Sequence, residues 1–378
     1  MNILFIGPYR QQDEWGHKSR AILKCLQNGE HKVTSRPIYF TSSNTYNEYF
    51  ELSENIVNDE YDILIQYTLP SFAVYAGNFK KRIGIFHSET IPNNIPIAEL
   101  THESLMDEIW VDSKVVATQL QNIFQYYNTS TIVRAIPPIL NLNELLLEQP
   151  STQTLRNASP HLKDKFIFYY IGNILDSQSG FKEVYTAYLN TFTAQDPVAL
   201  VVALDTALPG QAIQQCFDSY KKEIAYNTPE RFQPLLNVLP PQGNFLSDEE
   251  RISLHRGGDC MISLGYSMAS NFNVLEGALY HSMPIVNRNG AIHEWLGDEN
   301  VWCVDSYEEV CMRNKNTLPS GLYRYTFGES WYRPIVKSIV ETMKEAYSHK
   351  FKRDNKIKSN KELQQFFENN SLNNYISI

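Results

Sequence analysis

Short apolar runs recur along this chain, each closed by a glycine, a proline or a polar loop and most of them followed by a helical pattern. No other feature constrains the fold as much. The first run is NILFIG at 2–7, which ends in Gly7-Pro8. A buried parallel strand reads this way, because both its faces are covered and no residue needs to alternate toward water. Helical spacing follows at 19–26, where Ala21, Ile22, Cys25 and Leu26 share a face and Asn28-Gly29 supplies the stop. Further strands are expected at 32–38, 61–65, 82–86, 108–111 and 131–136, with a helix at 113–124. Strands alternating with helices imply a parallel, doubly wound sheet.

The pattern breaks at 137–160, which carries Pro137-Pro138, a Leu/Asn/Glu-rich stretch and then Pro150-Ser151-Thr152-Gln153. Such a segment reads as a linker. A second series starts beyond it. Strands are expected at 166–171 (FIFYYI), 198–204 (VALVVAL), 235–239, 260–264, 284–286 and 301–304, and helices at 183–192, 248–255 and 274–280. Ser247 and Glu250 make a capping box for the middle helix. Residues 330–348 form an amphipathic pattern with Ile335, Ile339, Met343 and Ala346 on one stripe. The expected architecture is therefore α/β with two Rossmann-like domains, 1–150 and 151–330, followed by a C-terminal helix and tail, 331–378, packing back on the first domain. A length of 378 residues suits two cores better than one.

Composition narrows the partners. A hydrophobic fraction of 43% with 20% charged residues is ordinary for a soluble protein. The formal net charge of -9 lacks the basic surplus of a duplex nucleic-acid binder. No apolar stretch reaches membrane-span length, and the opening MNILFIGPYR is too short and too little basic for a signal peptide, so a cytoplasmic location is expected. Cys25, Cys216, Cys260, Cys303 and Cys311 are scattered without metal or redox spacing, which suits free thiols.

Open parallel sheets bind ligands at the carboxyl ends of their strands, so the loops after strands are where chemistry belongs. The loop GPYRQQDEWGHKSR (7–20) holds Gly16 just before a helix start, where backbone N–H groups approach an anion; a helix-starting glycine on the surface is the plainer reading. IFHSET (85–90) puts His87 and Glu89 directly after a strand, in position for hydrogen bonding or proton transfer. GNILDSQSG (172–180) is a glycine-flanked loop with Asn173 inside it, followed by Lys182. The block 263–295 runs from a small, polar loop into a helix bearing Glu276. The backbone from Ser270 through Asn271, Phe272, Asn273 and Val274 suits a diphosphate, and the Glu276 carboxylate suits a ribose diol; complementing the helix dipole is the plainer role for Glu276.

Two stretches together resemble the retaining GT-B glycosyltransferases of family 4, also called group 1. IGIFHSETIP followed by MDEIWVDSKVVATQL is similar to that family's strand–loop–strand–helix pattern with a "WVxS" ending at Trp110-Val111-Asp112-Ser113. LSDEERISLHRGGDCMISLGYSMASNFNVLEGALYHSMPIV is similar to its donor-site block. The resemblance spans most of 1–345. It implies a metal-independent, cofactor-free transfer of a sugar from a nucleotide-sugar co-substrate to a glycan, small-molecule or other hydroxyl acceptor. It also implies that Glu276 holds the ribose, Asn271–Val274 meet the diphosphate, Gly16 belongs to the phosphate loop, His87 approaches the transferred sugar, and Glu294 matches the acidic residue that follows a glycine.

The chain departs from the pattern where charge matters most. The first glutamate of Glu-x7-Glu falls at Met268, and the Arg/Lys pair that neutralises the diphosphate falls at Asn173 and Ser179. Leaving-group charge is a large term in such transfers, so its loss must be replaced. Lys182, Arg256 and Arg288 are the nearest substitutes in sequence. The alternatives are a glycosyltransferase-like binding protein without transfer, and a sugar transferase acting on modified nucleic acid.

Overall fold

The computed structural model describes residues 1–11, 14–40, 54, 60–86, 90–93, 97–140, 155–204, 208–239, 246, 248–280, 282–311, 328–349, 356–369 and 371–376. Ser247 lies outside the described residues, and so do His87 and Glu89.

Among the described residues, two parallel sheets of six strands carry the fold. The first contains β1 (Asn2–Gly7), β2 (Lys32–Pro37), β3 (Ile63–Thr68), β4 (Lys81–Phe86), β5 (Glu108–Val111) and β6 (Ile132–Ala135), in the order β2-β1-β3-β4-β5-β6. Its helices are α1 (Glu14–Gln27), α2 (Ile97–Glu103) and α3 (Lys114–Tyr126). The strand order reverses between β1 and β3, so the loop after β1 opens at a topological switch point.

Helices α4 (Leu155–Ala158), α5 (Phe181–Thr191), α6 (Gly210–Glu223), α7 (Asp248–Gly257), α8 (Phe272–Leu279) and α9 (Ala291–Leu296) accompany the second sheet. Its strands are β7 (Phe166–Gly172), β8 (Val198–Leu204), β9 (Leu235–Leu239), β10 (Cys260–Ser263), β11 (Ile285–Asn287) and β12 (Trp302–Val304), in the order β12-β11-β10-β7-β8-β9. Here the switch point lies between β7 and β10. The loops 173–180 and 264–271 flank it, and both are loops singled out from the sequence. β7 is tied to its neighbourhood by Asp259, whose carboxylate accepts from the Ile167 amide at 2.7 Å and from Arg156 at 2.5 Å.

Three expectations need correction. Helix α1 begins at Glu14, not at residue 19, so Gly16, His17 and Lys18 lie inside the helix. The glycine is there for close packing: a Cβ on Gly16 would fall 1.9 Å from the Gln11 carbonyl oxygen. Helix α8 starts at Phe272, capped by Asn271, which moves Glu276 from the first turn to the second. The stretch 330–334 is not helical; β14 (Ser330–Pro334) pairs antiparallel with β13 (Ser306–Val310) as a separate two-stranded ribbon. Pro334 ends that strand, and α10 (Val336–Ser348) starts after Ile335, which caps it from an exposed position.

Ile339, Met343 and Ala346 of α10 join the second sheet's apolar core. Leu363 and Phe367 of α11 (Lys356–Asn369) pack with Phe272 and Leu275 of α8. Leu372 and Ile376 then enter the first sheet's core beside Ile22 and Leu26. The terminal segment thus runs from one core to the other.

Candidate active site between the two sheets

Helix α1, from the first sheet's switch point, lies against α8, from the second. Ala21 of α1 shares an apolar cluster with Phe272 and Leu275, and the His17 ring sits 4.9 Å from the Phe272 ring. Beside this contact Glu276 is fully buried. Its carboxylate forms an ion pair with Arg251 of α7, lies 3.4 Å from His255 Nε2, and lies 3.9 Å from His17 Nε2 across the cleft. His255 is fixed from behind by the Tyr169 hydroxyl at 3.1 Å to Nδ1.

Both histidines are held neutral at neutral pH. Burial pushes the His17 pKa well below its ordinary value, and the charges of Arg251, Arg20 and Lys24 add to the effect. Burial, then Arg251, does the same for His255. A neutral imidazole can donate its N–H to this carboxylate, whereas a free carboxylate among apolar residues would be costly. Arg251 and His255, which the sequence did not point to, flank the Glu276 carboxylate.

The N-terminus of α8 is equally occupied. Asn271 caps it, its Oδ1 accepting from the Val274 amide at 3.4 Å, and its Nδ2 donates to Ser263 Oγ at 3.2 Å. Ahead of the cap, the Ser270 amide and hydroxyl donate to Asp112 Oδ2 at 3.1 and 2.8 Å. Asp112 follows β5 of the first sheet and also pairs with Lys18. Asn273 is only partly buried on α8, and Val274 is wholly buried.

Across the same face, Glu294 accepts from Ser113 Oγ at 2.8 Å and from the Lys114 amide at 2.5 Å. Ser113 caps α3 through the Val116 amide. Trp295 Nε1 donates to the Asp112 carbonyl at 2.5 Å, and Lys114 Nζ lies 4.6 Å from the centre of the Trp295 ring. The WVDS segment and Glu294, both picked out from the sequence, thus meet each other.

Met268 is buried in the first sheet's apolar cluster with Phe86, Ile91 and Val111, although it belongs to the loop after β10 of the second. Asn173 turns back on its own loop, its Oδ1 accepting from the Leu175 amide at 2.9 Å. Ser179 Oγ donates to the Asp176 carbonyl at 2.7 Å. The expected charge substitutes are engaged elsewhere: Lys182 pairs with Glu223, Arg288 with Asp305 and Asp298, and the Arg256 guanidinium lies 5.1 Å from the Tyr280 ring centre.

The ribbon closes the remaining side. Ile91 exchanges backbone hydrogen bonds with Ser330 at 2.7 and 3.2 Å, and Thr90 Oγ1 donates to Glu329 at 2.7 Å. On the ribbon's other face, Arg333 and the Tyr266 hydroxyl meet Glu183 Oε1 at 3.0 and 2.6 Å. Among the described residues, His293, Asp298 and Cys303 have metal-type ligand atoms within 4.8 Å of one another. Arg288 shares the same Asp298 oxygen at 3.4 Å, which makes this a surface hydrogen-bond network. Among the described residues, no helix is long and apolar enough to cross a membrane.

No protein-family model matches the chain, and no curated protein matches it in sequence. Solved structures do. The chain is similar to a sucrose-phosphate synthase from Thermosynechococcus elongatus, with a TM-score of 0.63 and 12% identity over 99% of this chain and 97% of that one. It is similar to a UDP-forming alpha,alpha-trehalose-phosphate synthase from Burkholderia xenovorans, in complex with glucose-6-phosphate, with a TM-score of 0.63 and 11% identity over 98% of this chain and 97% of that one. The N-terminal domain of a Candida albicans trehalose-6-phosphate phosphatase gives a TM-score of 0.62 and 12% identity over 99% and 94%. At such identities the likeness is one of fold. The chain has the two-domain α/β GT-B fold.

Proposed function

We propose that this chain is a glycosyltransferase that takes a nucleotide-sugar in the cleft between its two sheets and passes the sugar to an acceptor hydroxyl. The observation that carries this reading is the meeting of α1 and α8 at paired switch points. There His17 meets Phe272 and Glu276 inside a GT-B frame. In this reading 151–330 is the donor side and 1–150 the acceptor side.

Each group then has a role. The amides at the start of α8 take the diphosphate, with the helix dipole favouring its charge. Glu276 accepts from the ribose hydroxyls once Arg251 shifts toward the incoming anion. Arg251 supplies part of the positive charge that Asn173 and Ser179 do not, and such charge is what a leaving nucleoside diphosphate requires. His87 and Glu89 act at the transferred sugar. The reaction proceeds with retention and without a metal, in the manner of family 4, in the cytoplasm. A sugar phosphate is the acceptor class to try first, since one such compound is present in the Burkholderia xenovorans structure.

The test is a transfer and hydrolysis assay over a panel of nucleotide-sugars and sugar phosphates, with and without EDTA, followed by NMR of the product anomer. Absence of both turnover and binding across the panel would sink the proposal.

Met268 favours a second reading, a nucleotide- or glycan-binding protein without transfer. The residue at the family's sugar-holding position is buried away in the first sheet's core. Calorimetric binding with no turnover in any acceptor would decide for it.

A further inference from the structure

The donor face of the cleft is held shut by the protein's own polar groups. Asp112, from the first sheet, places a carboxylate on the Ser270 amide and hydroxyl, immediately ahead of α8. Glu294, from the second sheet, places one on the Lys114 amide at the start of α3. The two contacts are reciprocal: each sheet's acid caps or precedes a helix of the other. Trp295 joins them, donating to the Asp112 carbonyl while its ring lies beside Lys114. Asp112 is itself buried, with Lys18 as its counter-charge.

We propose that Asp112 and Glu294 form an autoinhibitory latch, in which the Asp112 carboxylate stands in for the diphosphate at Ser270 and must leave before a ligand anion can take its place. The identity of the displaced ligand rests on the glycosyltransferase reading; the latch itself does not. A carboxylate oxygen and a phosphate oxygen make the same charge-assisted bond to an N–H, so the two compete for one donor. A latched protein is competent only for the fraction of time it is open, and its apparent affinity is lowered by that fraction.

The experiment has two arms. Backbone hydrogen exchange on the free protein reads the latch without ligand. In Glu294→Ala, and separately in Asp112→Ala, the Ser270 and Lys114 amides should exchange about tenfold faster, while the amides of β8 stay slow. Glu294→Ala strands no buried charge, so it decides the matter if Asp112→Ala fails to fold. Unchanged exchange at both amides in Glu294→Ala overturns the latch. Calorimetry with UDP and with GDP reads the competition: Glu294→Ala should bind the recognised diphosphate about tenfold more tightly than the wild-type chain. Faster exchange with unaltered or weaker diphosphate affinity overturns the autoinhibitory role. If neither wild type nor variant binds UDP or GDP, the glycosyltransferase reading fails, and the exchange result still decides the latch.

Discussion

Arg251 and Glu276 form an ion pair at the base of the cleft, their side chains only 9% and 1% exposed. Two charges withdrawn this far from water are tolerable only together. Removing one partner leaves the other buried and uncompensated, which typically costs about 3–5 kcal/mol. Arg251→Ala should therefore lose roughly that much stability in urea unfolding. Glu276→Gln alone should also destabilise, and the double variant should lose less than the sum of the two, because neither change then strands a charge. Additive losses would show that the pair does not act as a unit.

The histidines beside that pair predict an acid-sensitive fold. His17 and His255 have pKa values held well below their ordinary 6.5, by burial first and by Arg251 next. In the unfolded chain both rings take a proton near that ordinary value, while in the folded chain they do not. The unfolded state therefore binds more protons as pH falls, and stability drops with it; above about pH 7.5 no such penalty remains. Unfolding midpoints measured from pH 7.5 to 5.5 should decline, by up to about 1.4 kcal/mol per pH unit for each histidine. Replacing His17 with Gln should flatten the decline. A flat profile in the wild-type chain would contradict the neutral assignment.

The parts of this arrangement that the sequence displays are those with one dominant physical cause. β7 and β8 read as FIFYYI and VALVVAL because both faces of a parallel strand are covered, and the apolar runs match the strands almost residue for residue. The ribbon strands SYEEV and SWYRP carry no such run, since charged and polar residues interrupt both, and their pairing partner is about twenty residues away. Helix α1 starts earlier than its pattern suggests because Gly16 reads as punctuation, whereas its packing against Gln11 is what requires a glycine. Glu276 is legible as an acid on the helix that follows a small, polar loop, and Glu294 and the WVDS segment through the family resemblance. Their partners are not: Arg251, Asp112 with Ser270, and Met268 with Phe86 are meetings of distant segments that no local pattern encodes.

Glycine at 16 and at 180 should be intolerant of even one added carbon. A Cβ at Gly180 would fall 2.0 Å from the Leu264 carbonyl oxygen, and its φ of +71° is in the left-handed region. Both obstacles are backbone, so no side-chain rotation relieves them. Gly16→Ala and Gly180→Ala should each cost on the order of 1–3 kcal/mol, with Gly180→Ala the larger because strain adds to overpacking. Gly210→Ala is the control, since nothing lies within 4 Å of a Cβ there. Thermal unfolding of the three variants tests the order.

Met268 tests whether the family's missing glutamate can simply be restored. The side chain is 1% exposed and shares an apolar cluster with Phe86, Ile91 and Val111, so it ties the two sheets together by packing. Met268→Leu conserves volume and should cost less than about 1.5 kcal/mol. Met268→Glu would place a carboxylate in that cluster, where an unpaired charge costs several kcal/mol or must stay protonated. The strained sheet contact should then open before any sugar is held, and the variant should lose stability and gain no transfer. Urea unfolding and a nucleotide-sugar hydrolysis assay on the same preparation check both halves. A stable Met268→Glu chain with new hydrolytic activity would mean that the loop after β10 leaves the first sheet's core during turnover.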